Sequence, residues 1–351
     1  MLRVNECGLF CERGGFYVDP WKPVPLALIT HAHSDHARWG SQHYVCSERG
    51  LKLTQHRLRD ETQSGVQIKQ NPQAANSKIE ALPWGKKQKF GDVTVSFHPA
   101  GHILGSAQIR VECDGEVWVV SGDFKRNDDP SCDPFEVVPC DVFITEATFA
   151  LPIYRWQTGE EIAQDIFDWW QLNASEGRPS LLLCYSLGKA QRVLAELTRL
   201  TDKTVFVHGA VESLTKIYRE EGIKMLPTKS PAEMDKKYDF SQDLIIAPPS
   251  AYRSTWMKRF KGVDTAFASG WMRVRGNRRR KGFDKGFVLS DHADFFDLVR
   301  TAKETGAKKV LATHGYSETL VRHLKEIGIP AEPLKTHYGE VEDAAPAEQH
   351  A

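Results

Sequence analysis

The stretch Pro25-Leu26-Ala27-Leu28-Ile29-Thr30-His31-Ala32-His33-Ser34-Asp35-His36 decides the reading of this chain. Residues 25–29 are a short apolar run of strand length. The run stops at a turn crowded with histidines, and a rigid strand end can aim the loop that follows it. His31, His33, Asp35 and His36 place four metal-competent side chains within six residues. His31 and His33 can share one metal while Asp35 and His36 serve a second. Mixed nitrogen and oxygen donors of this kind suit zinc or manganese.

A solvated loop that holds histidines by chance is the competing reading, and residues elsewhere in the chain weigh against it. His102 lies in Ala100-Gly101-His102-Ile103-Leu104-Gly105-Ser106, Asp123 in Ser121-Gly122-Asp123 and His314 in Thr313-His314-Gly315. Each falls at a predicted strand end or turn. A single histidine after a strand is more often structural, but with the 31–36 loop these residues form a set. A carboxylate such as Asp123 can bridge two cations, and His314 can complete the second.

The rest of the chain sets bounds on this site. With 351 residues, it can form one large domain or two modest ones. Hydrophobic residues make up 41% and charged residues 26%, as in soluble globular proteins. No apolar run nears the roughly 18 residues that cross a bilayer, and the N-terminus lacks the apolar core of a secretory signal. The cytosol is the expected location, with no membrane partner. The formal net charge is +0, so any polyanion must be bound by a local patch or by metals. The seven cysteines are irregularly spaced, with no C-x2-C pair, and read as reduced thiols.

Val93, Val95 and Phe97 alternate with polar residues like a half-buried strand, and strands flank Asp114-Gly115 in a hairpin pattern. Val142–Thr145 is a further strand. After about residue 150 the rhythm changes to strand–helix alternation, which implies parallel strands. Helices are expected near Lys189–Leu200, Val211–Glu221, Ala251–Phe260, Asp294–Glu304 and Ser317–Ile327. The tail 338–351 is rich in Glu, Ala and Pro and is expected to be disordered.

The pattern H-x-H-x-D-H, followed by a distant His, an Asp and a late His, resembles the metallo-β-lactamase-fold hydrolases. That resemblance implies an α/β fold, an αββα sandwich. It implies two divalent metal ions, with His31, His33 and His102 on one, Asp35, His36 and His314 on the other, and Asp123 between. Asp19, in Tyr17-Val18-Asp19-Pro20, matches the family's first acidic motif, where it orients the histidine loop.

Further motifs resemble the β-CASP nuclease branch. Phe143-Ile144-Thr145-Glu146-Ala147-Thr148-Phe149 is similar to its motif A, Ser290-Asp291-His292-Ala293-Asp294 to motif B and Thr313-His314-Gly315 to motif C. The resemblance implies an inserted α/β cap domain over residues 151–280, flanked by the two parts of the metallo-β-lactamase domain, 1–150 and 281–337. Two metals can activate a water and clamp a phosphate for in-line displacement. The leaving oxygen then needs a proton, which a Glu146–His292 pair can supply. Asp35, Glu146 and His292 are thus the expected catalytic residues. Structural roles for Glu146 and His292, as an ion-pair partner and a helix-start residue, are the alternatives.

Ser186 and Lys189, in Tyr185-Ser186-Leu187-Gly188-Lys189-Ala190-Gln191-Arg192, sit where a strand opens into a helix, a natural phosphate site. A plain helix start is the alternative. Arg273, Arg275, Arg278, Arg279 and Arg280 cluster in a segment that leads toward motif B and are candidates for nucleic-acid backbone contact. A solvated basic loop is the other reading. Tyr154, Trp156, Trp169, Trp170, Trp256 and Trp271 can stack on bases, but core positions are favoured.

From Asp19-Pro20-Trp21 to His314 the chain resembles bacterial exonucleases associated with an ATP-dependent DNA ligase and a DEXH helicase, related to the Artemis/Pso2 type. This implies DNA end processing in repair, with that ligase and helicase as partners. His314 at motif C points the other way, since in the broader family a His there accompanies RNA enzymes. DNA is the expected substrate and RNA the alternative. A small-molecule hydrolase of the same fold and a non-catalytic scaffold are the remaining rivals.

Overall fold

The computed structural model describes residues 1–63, 77–274 and 282–336. They fall into two compact units. One comprises Met1–Arg126, Asp133–Arg155 and the stretch from His292, and the other Asn127–Cys132 and Trp156–Asp291.

The first unit opens with short strands β1 (Leu2–Val4), β2 (Leu9–Cys11), β3 (Phe16–Val18), β4 (Leu26–Leu28), β5 (His43–Ser47) and β6 (Lys78–Leu82), which pair in that order as one sheet. Helix α1 (Leu51–Gln63) lies between β5 and β6 in sequence. A second sheet starts with β7 (Gln88–Phe90), β8 (Val93–Pro99), β9 (Ala107–Cys113), β10 (Glu116–Val120) and β11 (Val142–Glu146). Asp114 and Gly115 turn the β9–β10 hairpin with φ of 51° and 82°, the left-handed pair that a tight hairpin needs.

The second unit carries a parallel sheet of β12 (Ser180–Leu183), β13 (Val205–Val207), β14 (Thr228–Lys229), β15 (Leu244–Ala247), β16 (Asp264–Ala268) and β17 (Lys285–Phe287), in the order β14-β13-β15-β12-β16-β17. Its helices are α2 (Gly159–Ser175), α3 (Lys189–Glu196) and α4 (Gly209–Glu220). Thr158 caps α2 in a reciprocal box with Glu161. Back in the first unit, α5 (Phe295–Glu304), β18 (Lys309–Thr313), α6 (Ser317–Glu326) and β19 (Ala331–Pro333) follow, and β18 adds to the second sheet beside β11.

The apolar pattern of each strand sets the layers. Inward residues of the first sheet (Phe16, Leu28, Val45) and of the second (Val95, Phe97, Ile109) share one core between the sheets. The outer face of the second sheet packs through Phe143 and Val310 on Leu298 and Leu324 of α5 and α6. The outer face of the first packs through Ala27 and Tyr44 on Leu58 of α1. Within this unit the order is therefore helix, sheet, sheet, helix.

One expected helix differs. Residues 251–260 form two short 3-10 turns, Pro249–Ala251 and Trp256–Arg259, instead of an α-helix. Arg253 between them adopts φ of 59°, which no α-helix accommodates. The aromatic residues take the favoured core positions: Tyr154, Trp169 and Trp170 are buried, and Trp156, Trp256 and Trp271 pack against a core cluster. The tail 338–351 lies outside the described residues.

Candidate metal centre

Strand direction gathers the candidate ligands. β10, β11 and β18 are mutually parallel, with Val120 opposite Ile144 and Glu146 opposite Thr313. Their C-terminal ends deliver Asp123, Glu146 and His314 side by side. β8 runs antiparallel to β9, and β9 antiparallel to β10, so β8 ends at the same edge and releases the loop that carries His102. Thr30, at the end of β4 in the first sheet, accepts through its carbonyl from the Ala107 N–H at 2.8 Å, which binds the histidine loop to the second sheet.

Close backbone approach makes these junctions possible. Gly122 has φ of 56°, and a Cβ there would lie 2.7 Å from the Cβ of Thr30. Gly315 has φ of 52°, and its Cβ would meet the Ala147 carbonyl oxygen at 2.5 Å. Both positions therefore require glycine. Asp19 and His314 also hold positive φ, 42° and 61°, in a region that non-glycine residues seldom adopt.

The imidazoles close around one carboxylate oxygen. His31 Nε2, His36 Nε2 and His102 Nε2 lie 3.6, 3.5 and 3.8 Å from Asp123 Oδ2. His33 Nδ1 is 3.0 Å from His31 Nε2 and 3.1 Å from His102 Nε2. Asp35 Oδ2 is 3.6 Å from His36 Nε2. One group of donor atoms belongs to His31, His33, His102 and Asp123, and a second to His36, Asp123 and His314, with all atoms of a group within 4.8 Å of one another.

These separations fit a cation. An ion with bonds of about 2.0–2.1 Å to four donors holds them roughly 3.3 Å apart, and the 3.0–3.8 Å spacings bracket that edge. Asp123 Oδ1 is buried and has no hydrogen-bond partner among the described residues, which is costly unless a ligand satisfies it.

Protonation points the same way. Burial, reinforced by His36 and His102, drives the pKa of His31 well below its ordinary value. Burial and His102 take His33 down to about 3, and burial also lowers His314. Burial works to raise Asp123, but His36, His292 and His31 outweigh it and hold its pKa well below the usual carboxylate range. Burial likewise works to raise Asp35, and His36 outweighs it. Neutral imidazoles and ionised carboxylates are the forms that bind metals. His36 is the exception. Burial opposes its charge, but Asp35, Asp123 and Asp19 prevail and raise its pKa well above the ordinary value. Carboxylates that favour that proton would equally favour a cation.

The surrounding groups orient this set. Asp19 Oδ1 accepts the Thr30 N–H at 2.8 Å, and Oδ2 accepts the Thr30 hydroxyl at 2.6 Å and faces His36 Nδ1 at 2.8 Å. Ser106 Oγ accepts the N–H groups of His102 and Ile103 at 3.0 and 3.2 Å. Glu146, which is buried, accepts the Phe124 N–H at 2.8 Å through Oε1 and faces His292 Nδ1 at 2.9 Å through Oε2. His292 Nδ1 is also 3.9 Å from Asp123 Oδ2.

Comparison with known proteins adds the lineage. No family model matches the chain. A probable DNA ligase from Opitutus terrae is 30% identical over 330 residues, which are 92% of this chain and 30% of that protein. An RNase J-like protein from Methanocaldococcus jannaschii is 23% identical over 61% of this chain and 54% of its own length. The cleavage and polyadenylation specificity factor 73 of Drosophila melanogaster is 26% identical over 52% of this chain and 25% of its own. The RNase J-like protein and the cleavage factor are of the metallo-β-lactamase β-CASP family. The chain is similar to members of that family over half or more of its own length. It spans only about a third to half of the first two relatives. A protein of unknown function from Enterococcus faecalis V583 is similar in fold, with a TM-score of 0.59 at 14% identity, over 90% of this chain and 80% of that one.

Of the other candidates, Ser186, Lys189 and Arg273 belong to the second unit. Ser186 and Lys189 are buried. Lys189 Nζ donates to Asp291 Oδ2 at 2.7 Å, an ion pair inside the unit. Arg192 Nη1 donates to the Ser290 carbonyl at 2.7 Å, and Arg192 Nε lies 3.3 Å from Asp129 Oδ2. Arg273 is exposed, at the end of the 3-10 turn Gly270–Arg273. Arg275, Arg278, Arg279 and Arg280 lie outside the described residues. Sequence reasoning missed Thr30, Ser106 and the Asp129–Arg192 pair. Ser106, four residues after His102, was legible as a local turn former. The long-range pair left no local signal.

Proposed function

We propose that this protein is a two-metal nuclease that hydrolyses phosphodiester bonds, acting on DNA as an exonuclease. One observation carries the reading: the imidazoles of His31, His33, His36, His102 and His314, from beyond the ends of β4, β8 and β18, gather around Asp123 beyond the end of β10, and the Glu146–His292 pair stands against it. The layer order of the first unit supports reading it as the metallo-β-lactamase sandwich, and residues 151–280 as the β-CASP insert.

His31, His33 and His102 would hold one divalent ion and Asp35, His36 and His314 a second, with Asp123 shared. Zinc or manganese suits these donors. When bound, such ions supply an activated water and charge stabilisation on phosphoryl oxygens. Asp19 keeps the His36 ring turned inward by engaging its Nδ1. Glu146 does the same for His292, engaging its Nδ1 and so orienting the ring. Proton donation to the leaving oxygen then falls to His292 Nε2.

DNA is supported by the Opitutus relative, a probable DNA ligase that matches over nearly this whole chain. RNA is the second reading, favoured by the RNase J-like relative and by His314 at motif C. End-labelled DNA and RNA strands, incubated with protein and Mn²⁺, separate the two. Mononucleotides released from labelled DNA are the expected product. Shortening of RNA alone overturns the DNA assignment. Full activity in Asp35→Ala overturns the metal site.

A further inference from the structure

A lone exposed apolar side chain carries no meaning, but Phe296 has unusual company. Its neighbour Phe295 is 5% exposed and lies in the core, whereas Phe296 is 51% exposed. The guanidinium carbon of Arg155 sits 5.6 Å from the centroid of the Phe296 ring, within cation–π range. A flat cation is thus laid beside an aromatic surface that solvent can reach.

This pair is tied to the candidate proton donor along two paths. Along the chain, Asp294 caps α5 through the Asp297 N–H, and Phe296 is the second residue of that helix, four positions after His292. Through space, the His292 ring packs on Phe149 at 5.8 Å, and Phe149 packs on Tyr154 at 4.8 Å. Arg155 directly follows Tyr154.

We infer that Phe296 and Arg155 form a platform for one unpaired base of the polynucleotide, close to the bond that is cut. The inference rests on the nuclease reading above. The base stacks on the Phe296 ring, and the Arg155 guanidinium meets an adjacent backbone phosphate, for which its forked donors are suited. Every base has a π face, so such a platform tolerates any sequence, as an enzyme that advances along a strand requires. It also explains an exposed phenylalanine four residues from His292.

The test uses single-stranded oligonucleotides of the sugar type that the wild type cuts, with 2-aminopurine at successive positions. Steady-state cleavage is followed with metal, and fluorescence with the metal chelated. Phe296→Ala is expected to raise KM roughly tenfold with little change in kcat, and to abolish the quenching of one 2-aminopurine. Phe296→Trp keeps both, and Arg155→Gln raises KM less. An abasic site at the quenched position removes the difference between wild type and Phe296→Ala. If Phe296→Ala matches the wild type in KM and quenching while the wild type cuts, the platform is wrong and the nuclease reading stands. A KM defect that persists on the abasic strand, or that tryptophan does not rescue, also overturns stacking. A wild type that neither binds nor cuts any strand removes the nuclease reading, and the platform with it.

Discussion

In the second unit, Lys189 and Arg192 face Asp291 and Asp129, two cations against two carboxylates, all buried. In the first unit, Asp123 is equally buried, but its ion-pair partners among the described residues are the imidazoles of His31, His36, His102 and His292. The first network is closed: its charges cancel among its own side chains. The second is open, because burial keeps His31, His33 and His314 neutral, so that they offer lone pairs but no positive charge, while His36 is the ring whose proton the carboxylates favour. Burial of charge alone does not mark a functional site; burial of negative charge among lone-pair donors does.

The largest expected effect breaks the open network. Asp123→Ala should lower kcat by ~10³-fold or more, since it removes a group shared by both donor sets. Metal content by elemental analysis should fall with it. Normal metal content in that variant would sink the assignment of Asp123.

Breaking the closed network should act on stability instead. Lys189→Ala leaves the Asp291 carboxylate buried without its nearest cation, which costs about 3–5 kcal/mol. Denaturant melts should record that loss, with the metal content of the folded fraction unchanged. A variant of wild-type stability would show that Asp291 does not depend on this pair.

Asp19→Asn probes the rim of the open network. The amide cannot match a carboxylate at His36 Nδ1, so metal affinity should drop roughly 10–100-fold, measured by competition with a chelator. The Thr30 N–H contact to Oδ1 should survive and keep the fold intact.

The smallest effect is on pH dependence. In chelated protein, His33 has its pKa lowered from 6.5 to about 3. Between those values the unfolded chain binds a proton that the folded chain does not, so stability should fall as pH drops from 6.5 toward 3. His31 and His314 are lowered too and act in the same direction. His36 is raised, so its contribution is present below 6.5 and lost at higher pH, outside this window. Loading with Zn²⁺ should steepen the acid limb, because protons then compete with metal for the imidazoles. A flat profile in chelated protein would contradict the burial of these rings.

The contrast between the units also explains what was legible in the sequence. The candidate ligands stand out because metal donors are few in kind and fall at strand ends; His31, His33, Asp35, His36, His102, Asp123 and His314 read as candidates for that reason. Strands with strict alternation, such as β8, and the Asp114-Gly115 hairpin were equally plain. Helix α2 is not among the expected helices, although Thr158 and Glu161 form a capping box at its start. The 251–260 helix was misread because apolar spacing gives no hint of the left-handed turn at Arg253. The closed ion network stayed hidden because Asp129, Lys189, Arg192 and Asp291 are common charged residues, brought together only by the fold.

The pairing of Glu146 with Thr313 has a further consequence. Two neighbouring strands of one sheet, β11 and β18, are separated in the chain by the stretch Trp156–Asp291, most of the second unit. Their register depends on local ladder bonds and on the core beneath them, not on the length of chain between. A chain excursion launched after Glu146 and rejoined near His292 can therefore grow, shrink or be remodelled without shifting the strand ends that carry the candidate ligands.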